Sequence, residues 1–232
     1  MREVCLSKRP GYGWLVPATL TYGNGMPTKN PTEPAPLAKN DWRIPPGRVP
    51  LFLTLMLLGC AADLGTKHWV YRQDDMFRGS EWWLWTDHVG IQKSLNEGAL
   101  FGMGQGQVWL FAVFSVAALI AIPIWLFCFR ASQDRWLTTA LGCVTGGILG
   151  NLYDRLGLAG IHWDQFDPRR AGETAYAVRD WILWQWNDQW VWPNFNIADA
   201  LLVGGAGLLM VHSFFLQHDS PDDSVQISQA TK

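Results

Sequence analysis

The sequence predicts an α-helical membrane protein: a four-transmembrane-helix bundle with a small extracytoplasmic β-rich loop domain and an amphipathic periplasmic loop. Four apolar segments, at about 49–71, 108–129, 136–156 and 197–216, recur along the 232 residues, and each is long enough to cross roughly 30 Å of hydrocarbon as a helix. Fifteen Trp against five Tyr point to interfacial surfaces, because the indole ring has an apolar body and one N–H that seeks a polar partner. Between the first two spans, apolar and polar residues alternate over short stretches, the period of strands rather than helices.

Taken in order, residues 1–50 contain nine of the thirteen prolines and no periodic apolar pattern, so a disordered tail is expected over 1–48. It is too long and too proline-rich for a signal peptide, and a start codon assigned too early gives the same pattern. Asp63 and Lys67 interrupt the first span, and Thr145-Gly-Gly and Asn151 to Arg155 the third. These two cross a bilayer only if their polar faces look into a bundle. Lys39, Arg43 and Arg48 before the first span, with Arg130 and Arg135 between the second and third, place those flanks in the cytoplasm. The same count puts the loops 72–107 and 157–194 outside, although they carry Arg72, Arg78, Lys93, Arg169, Arg170 and Arg179. Both termini, including the polar tail 217–232, are then cytoplasmic.

In the first outer loop, Glu81-Trp-Trp-Leu-Trp85 and His88 to Phe101 suit a few surface strands, with Gly98, Gly102, Gly104 and Gly106 allowing sharp turns. The second carries Trp163, Trp181, Trp184, Trp186, Trp190 and Trp192, a composition that suits an amphipathic belt at headgroup depth. A net charge of −2 with no basic stripe excludes a general nucleic-acid binder. Cys60, Cys128 and Cys143 lie in apolar stretches and Cys5 in the tail, with neither a disulfide framework nor metal-ligand spacing. No metal or cofactor is expected.

Chemistry concentrates where carboxylates meet apolar segments, because desolvation penalises a charge near a bilayer and such a group is retained for a reason. Asp180 and Asp199 flank the tryptophan-rich stretch, and Asp199 opens the fourth span. Asn151, Asp154 and Arg155 stand at i, i+3 and i+4, a spacing that gathers them toward one helix face and can hold an internal Asp-Arg pair. Asn196 and Asp199 share a face in the same way, and Asp63, Thr66 and Lys67 repeat the pattern in the first span. Each group alone reads equally well as a structural ion pair or polar glue between helices. Their convergence on one membrane face argues for a site.

The blocks Asn96-Glu-Gly-Ala-Leu-Phe101, Gly146-Gly-Ile-Leu-Gly-Asn-Leu-Tyr-Asp-Arg155, Val178-Arg-Asp-Trp-Ile182 and Phe195-Asn-Ile-Ala-Asp199 resemble, in this order, the signature blocks of signal peptidase II, the lipoprotein signal peptidase. The Asp63 to Lys67 block resembles that family's first-span motif, and the resemblance covers about 49–216. It implies an intramembrane aspartyl protease of the bacterial inner membrane, its site near the outer leaflet, which cuts prolipoproteins just before a diacylglyceryl cysteine. By motif, Asp180 and Asp199 are the catalytic pair holding the hydrolytic water. Asn151 and Asn196 are supporting amides, Asp154 and Arg155 a structural pair, and Asn96, beside Gly98, reaches the substrate backbone. The implied partners are prolipoproteins and membrane lipids, and a monomer is assumed.

The chain departs from the family in an insertion of roughly a dozen residues between Arg155 and Val178, and in Arg179 where an apolar residue is usual. Asp164 therefore competes with Asp180. Asp180 is favoured, because Asp-Trp-Ile and the following Trp-Pro-Asn-Phe-Asn match the family onward from it, and loop length is tolerated. Three rival readings remain from the residues alone: a lipoprotein with a lipobox at Leu57-Leu-Gly-Cys60, a transporter or proton relay using Asp63, Lys67, Asp154 and Asp199, and a structural membrane protein.

Overall fold

A computed structural model of the chain describes residues 43–74, 80–98, 103–187 and 189–218, with side chains up to residue 214. The expected tails before residue 43 and after residue 218, together with Arg78, Leu100, Phe101 and Gly102, lie outside the described residues. The long helices are α1 (Arg48–Tyr71), α2 (Val108–Pro123), α3 (Arg135–Arg155) and α4 (Ile197–His218). At Pro123, which has no N–H to donate, α2 passes into a wider π turn over Ile124–Cys128. Three of the described helical segments, Arg48–Tyr71, Val108–Cys128 and Ile197–Phe214, are long and apolar enough to cross a membrane.

The remaining helix, α3, owes its lower hydropathy to its position. It packs against α1, α4 and α2, and its Thr138, Thr145, Asn151 and Asp154 are buried among them. Its start is capped by Asp134, whose side chain accepts from the Leu137 N–H at 3.1 Å. Its end is a Schellman turn: Gly157 takes φ +71°, its N–H bonds the Asp154 carbonyl, and the Leu158 N–H reaches the Tyr153 carbonyl.

Close approach of α3 to its neighbours rests on glycine. A Cβ on Gly142 would lie 3.1 Å from the Leu55 Cβ, one on Gly146 would lie 2.9 Å from the Met56 carbonyl oxygen, and one on Gly150 would collide with the Asp63 carboxylate. At a spacing of four these residues form one stripe facing α1, a small-residue seam of the kind that lets membrane helices approach backbone to backbone. On its other side, Gly147 meets the Ala198 carbonyl of α4 in the same way.

Beyond the helix ends lies a four-stranded antiparallel sheet of β1 (Trp82–Trp85), β2 (Val89–Asn96), β3 (Val178–Asn187) and β4 (Trp190–Phe195), paired in that order. The second outer loop is thus built as strands: Trp181, Trp184 and Trp186 lie in β3, which pairs with β2 of the first loop, and Trp190 and Trp192 lie in β4, which pairs with β3. In β3, Leu183 is buried while its neighbours Trp184 and Trp186 are exposed, and in β4 Trp190 and Trp192 are exposed together with Val191 between them. The register of β2 on β3 matters most, with Ser94 opposite Asp180, Leu95 opposite Arg179 and Asn96 opposite Val178.

Replacing Gly146 with Ala should lower folded stability by about 1–3 kcal/mol, because the new methyl group meets a backbone oxygen that cannot move alone. Gly207→Ala, with nothing within 4 Å of the added atom, should be neutral or slightly stabilising. Thermal unfolding in detergent reads both, and equal melting temperatures for the two variants would contradict the glycine seam.

Candidate active site

The site begins with one buried ammonium. Lys67 Nζ lies 2.7 Å from Asp63 Oδ2 one turn earlier on α1 and 3.0 Å from Asp154 Oδ2 on α3. It donates to Asn151 Oδ1 at 2.9 Å. Asp154 has a second cation: Arg179 binds it through Nε at 2.8 Å and through the backbone N–H at 3.1 Å. Lys67, Asp63, Asp154 and Arg179 are all buried, and two positive charges balance two negative ones, the condition for burying ions without a large desolvation loss.

This corrects one expectation. Asp154 and Arg155 do not pair with each other, because adjacent residues on a helix point about 100° apart. Asp154 turns into the bundle toward Lys67, while Arg155 donates to the Gly98 carbonyl at 2.9 Å and lies over the Phe111 ring at 5.4 Å. Thr66 likewise turns back to the Ala62 and Asp63 carbonyls and leaves the charges alone. Arg179, which looked like a mere departure from the family pattern, is the partner Asp154 needs.

The two candidate aspartates sit on either side of Asn196. This residue begins α4, its Oδ1 accepting from the Asp199 N–H at 2.9 Å while Asp199 Oδ2 accepts from the Asn196 N–H at 3.2 Å, a reciprocal cap. Its Nδ2 donates to Asp180 Oδ1 at 2.6 Å and lies 3.2 Å from Asn151 Oδ1. Asp199 Oδ1 accepts from Asn151 Nδ2 at 2.9 Å. Another free N–H of the α4 first turn, that of Ala198, donates to Asp63 Oδ1 at 2.9 Å.

From the sheet, Asn96 Nδ2 donates to Asp180 Oδ2 at 3.2 Å. The register explains the contact, since residues two apart across neighbouring strands are diagonal neighbours on one face. Sequence resemblance gives Asn96 to the substrate; here its amide is on Asp180, and its Oδ1 accepts from the Gly98 N–H at 2.9 Å. Tyr71 was not singled out from the sequence. Its hydroxyl donates to the Ser94 carbonyl at 2.5 Å and lies 3.2 Å from that of Asp180. The signal was present, because Asp63, Lys67 and Tyr71 repeat every four residues on one face of α1. Asp164 lies apart from this cluster: it is exposed, in the turn Trp163–Gln165, and accepts from the Gly172 N–H.

The two carboxylates differ in surroundings. Asp180 is 2% exposed, and burial above all, then the charge of Asp199, push its carboxyl up to about 8 against the pull of the Asn196 and Asn96 amides. Asp199 is half-buried and lines a cavity of about 340 Å³ with Asn96, Asn151 and Arg155 on its polar side and Leu202, Val203 and Ala206 of α4 on its apolar side. Asp199 accepts from two N–H donors, the Asn151 side chain and the Asn196 backbone, and is the less buried of the two. The pair can therefore hold one proton on Asp180 and a base on Asp199. By contrast, Lys67, Asp63 and Asp154 are joined with Arg179 in ion pairs. Cys60 lies mid-helix in α1 and is half-buried.

Lys67→Met should cost about 3–5 kcal/mol, because it leaves Asp63 buried without its cation and Asp154 with Arg179 alone. Arg169→Ala, whose side chain is 89% exposed, should leave the melting temperature unchanged. A melting temperature for Lys67→Met equal to that of the unaltered protein would show that the network carries no such weight.

The geometry agrees with what comparison with known proteins finds. A family model described as signal peptidase (SPase) II matches residues 55–215, more than half of the chain. The chain is 47% identical over 189 residues to a lipoprotein signal peptidase of Rhodopirellula baltica, with 81% of this chain and 82% of that one covered. It is 34% identical over 132 residues to a lipoprotein signal peptidase of Pseudomonas fluorescens strain Pf-5, covering 55% of this chain and 67% of that one. A solved structure described as a bacterial membrane enzyme determined by the in meso method at 2.3 Å superposes with a TM-score of 0.59 at 21% identity, over 76% of this chain and 93% of that one. At that identity the likeness speaks for the fold, while the family match and the Rhodopirellula relative speak for kinship: this chain belongs to the signal peptidase II family.

Proposed function

We propose that this protein is an aspartyl endopeptidase that removes the signal peptide from diacylglyceryl-modified prolipoproteins, cutting on the N-terminal side of the lipidated cysteine, with Asp180 and Asp199 as the catalytic dyad. The observation that carries this reading is Asn196, whose side-chain amide holds Asp180 while its backbone N–H holds Asp199. Two carboxylates tied to one residue share a site and do not both ionise at neutral pH. Asp199 takes a proton from the attacking water, and Asp180 donates a hydrogen bond and then its proton to the scissile carbonyl oxygen, giving a neutral gem-diol. Collapse returns the proton from one hydroxyl to Asp180, while Asp199 delivers its proton to the leaving amine. The C–N bond breaks and the dyad is back in its starting state.

In this reading α3 is the fourth span, its polar residues shielded by α1, α2 and α4, and both ends of the bundle's chain face the cytoplasm of a bacterial inner membrane. The sheet then lies at the outer leaflet, with the exposed Trp184, Trp186, Trp190 and Trp192 at headgroup depth. Val203, exposed on α4 and lining the cavity, marks a route by which a substrate whose acyl chains stay in lipid reaches Asp199.

Asp180→Asn or Asp199→Asn should lower cleavage of a diacylglyceryl-modified prolipoprotein by roughly a thousandfold or more while the protein stays folded. Asp164→Asn, which keeps the acceptor for Gly172, should remain active. Full activity in either dyad variant would sink the assignment. Because the raised Asp180 group must hold its proton, kcat/KM should fall as pH rises through about 8. The same shift makes the folded state bind a proton that the unfolded state releases, so Asp180 lowers stability progressively between the ordinary carboxylate range and about pH 8. A rate that stays level to pH 10 would contradict the protonated role of Asp180.

A further inference from the structure

The insertion 157–177 has no role in the chemistry above, yet it is built rather than loose. Trp163, Phe166, Ala175 and Ala177 form a buried cluster, and Tyr71 and Leu95 pack against it. Backbone bonds from the Trp163 N–H to the Glu173 carbonyl and from the Ala175 N–H to the Ile161 carbonyl close the segment on itself. Phe166 stacks on Tyr71 at 6.1 Å, the tyrosine whose hydroxyl holds the Ser94 carbonyl where β2 faces Asp180.

One residue reaches from this segment to the site. The Arg170 guanidinium lies over the Trp163 ring at 4.1 Å, is held by Glu173 at 3.0 Å, and spans to Glu97 Oε1 at 3.1 Å. Glu97 stands between Asn96, which donates to Asp180, and Gly98, whose carbonyl is held by Arg155. An exposed ion pair alone contributes little, but a guanidinium fixed by stacking and a second carboxylate has lost its rotamer freedom beforehand and can transmit position.

We propose that the insertion is a brace: Arg170, fixed on Trp163 and Glu173, holds Glu97 and thereby positions the Asn96 amide against Asp180. Arg170 is thus a positioning residue for the dyad, an inference that rests on the catalytic reading above. The charged and titratable groups around Asp180 are Asp199 of α4, Lys67 and Tyr71 of α1, Asp154 and Arg155 of α3, and Arg179 of its own strand. None is altered in the variants below. The Asn96 amide favours the carboxylate form of Asp180, so loosening it makes the proton harder to remove.

The test uses the full chain in proteoliposomes and a diacylglyceryl-modified prolipoprotein. Arg170→Ala should lower kcat roughly tenfold, leave KM within about twofold, and move the alkaline fall in rate to higher pH. Glu97→Ala removes the oxygen that Arg170 reaches while Arg170 keeps Trp163 and Glu173, and it should do the same, which separates positioning from folding of the insertion. The double variant Arg170→Ala/Asn96→Ala should be no slower than Asn96→Ala alone, because both act through one contact. Arg169→Ala, paired only within its own turn, should match the unaltered enzyme. Losses that multiply in the double variant, or a Glu97→Ala enzyme with ordinary kcat and pH profile, overturn the brace. If Asp180→Asn is inactive while Arg170→Ala is ordinary, the brace alone fails; if Asp180→Asn cleaves normally, the catalytic reading fails first.

Discussion

A lysine ammonium inside a membrane bundle is tolerated only when oxygens replace the water it has lost. Lys67 has three of them, from Asp63, Asp154 and Asn151, and each carries the constraint onward. Asp63 takes the Ala198 N–H and so ties α1 to the start of α4. Asp154 takes the backbone and side chain of Arg179, the residue before Asp180. Asn151 turns its amide to Asp199. One cation therefore orients both candidate catalytic aspartates, along separate routes, without touching either.

The arrangement separates two kinds of charge. In the inner network the ions compensate one another, so it can sit dry and rigid among α1, α3 and α4. The outer pair is uncompensated: two acids share Asn196 beside a cavity, with Arg155 of α3 at its wall. A charge-balanced network beneath a pair of acids is what acid-base chemistry needs, because fixed donors do not have to reorganise as protons move. The glycine seam of α3 is the precondition, since a side chain at Gly150 would occupy the place of the Asp63 carboxylate.

The sheet has two tasks. On one side it brings Asp180 to the helix ends through pairing with β2, under the Tyr71 hydroxyl. Toward solvent it presents tryptophans, whose half-polar rings suit the boundary between lipid and water. The insertion packs beneath the first of these tasks, against Tyr71 and Leu95, so a segment that looks dispensable by length is joined to the strand register that carries Asp180.

The apolar runs and the polar residues at intervals of three and four are local patterns, and they determine by themselves that there are helices with a polar face, while Asp180, Asp199, Asn151 and Asn196 become candidates through the resemblance of their sequence blocks to the family. Two kinds of fact were not legible. Strand pairing between the outer loops is non-local, so the Trp181–Trp192 stretch reads as an interfacial belt when it is half of a sheet. Partner choice among buried charges is likewise non-local: spacing offered Arg155 to Asp154, and only packing of β3 against α3 assigned Arg179 instead. A sequence specifies which groups are costly to bury; which of them meet depends on chain segments many residues apart being brought into contact, and that is decided by the tertiary structure.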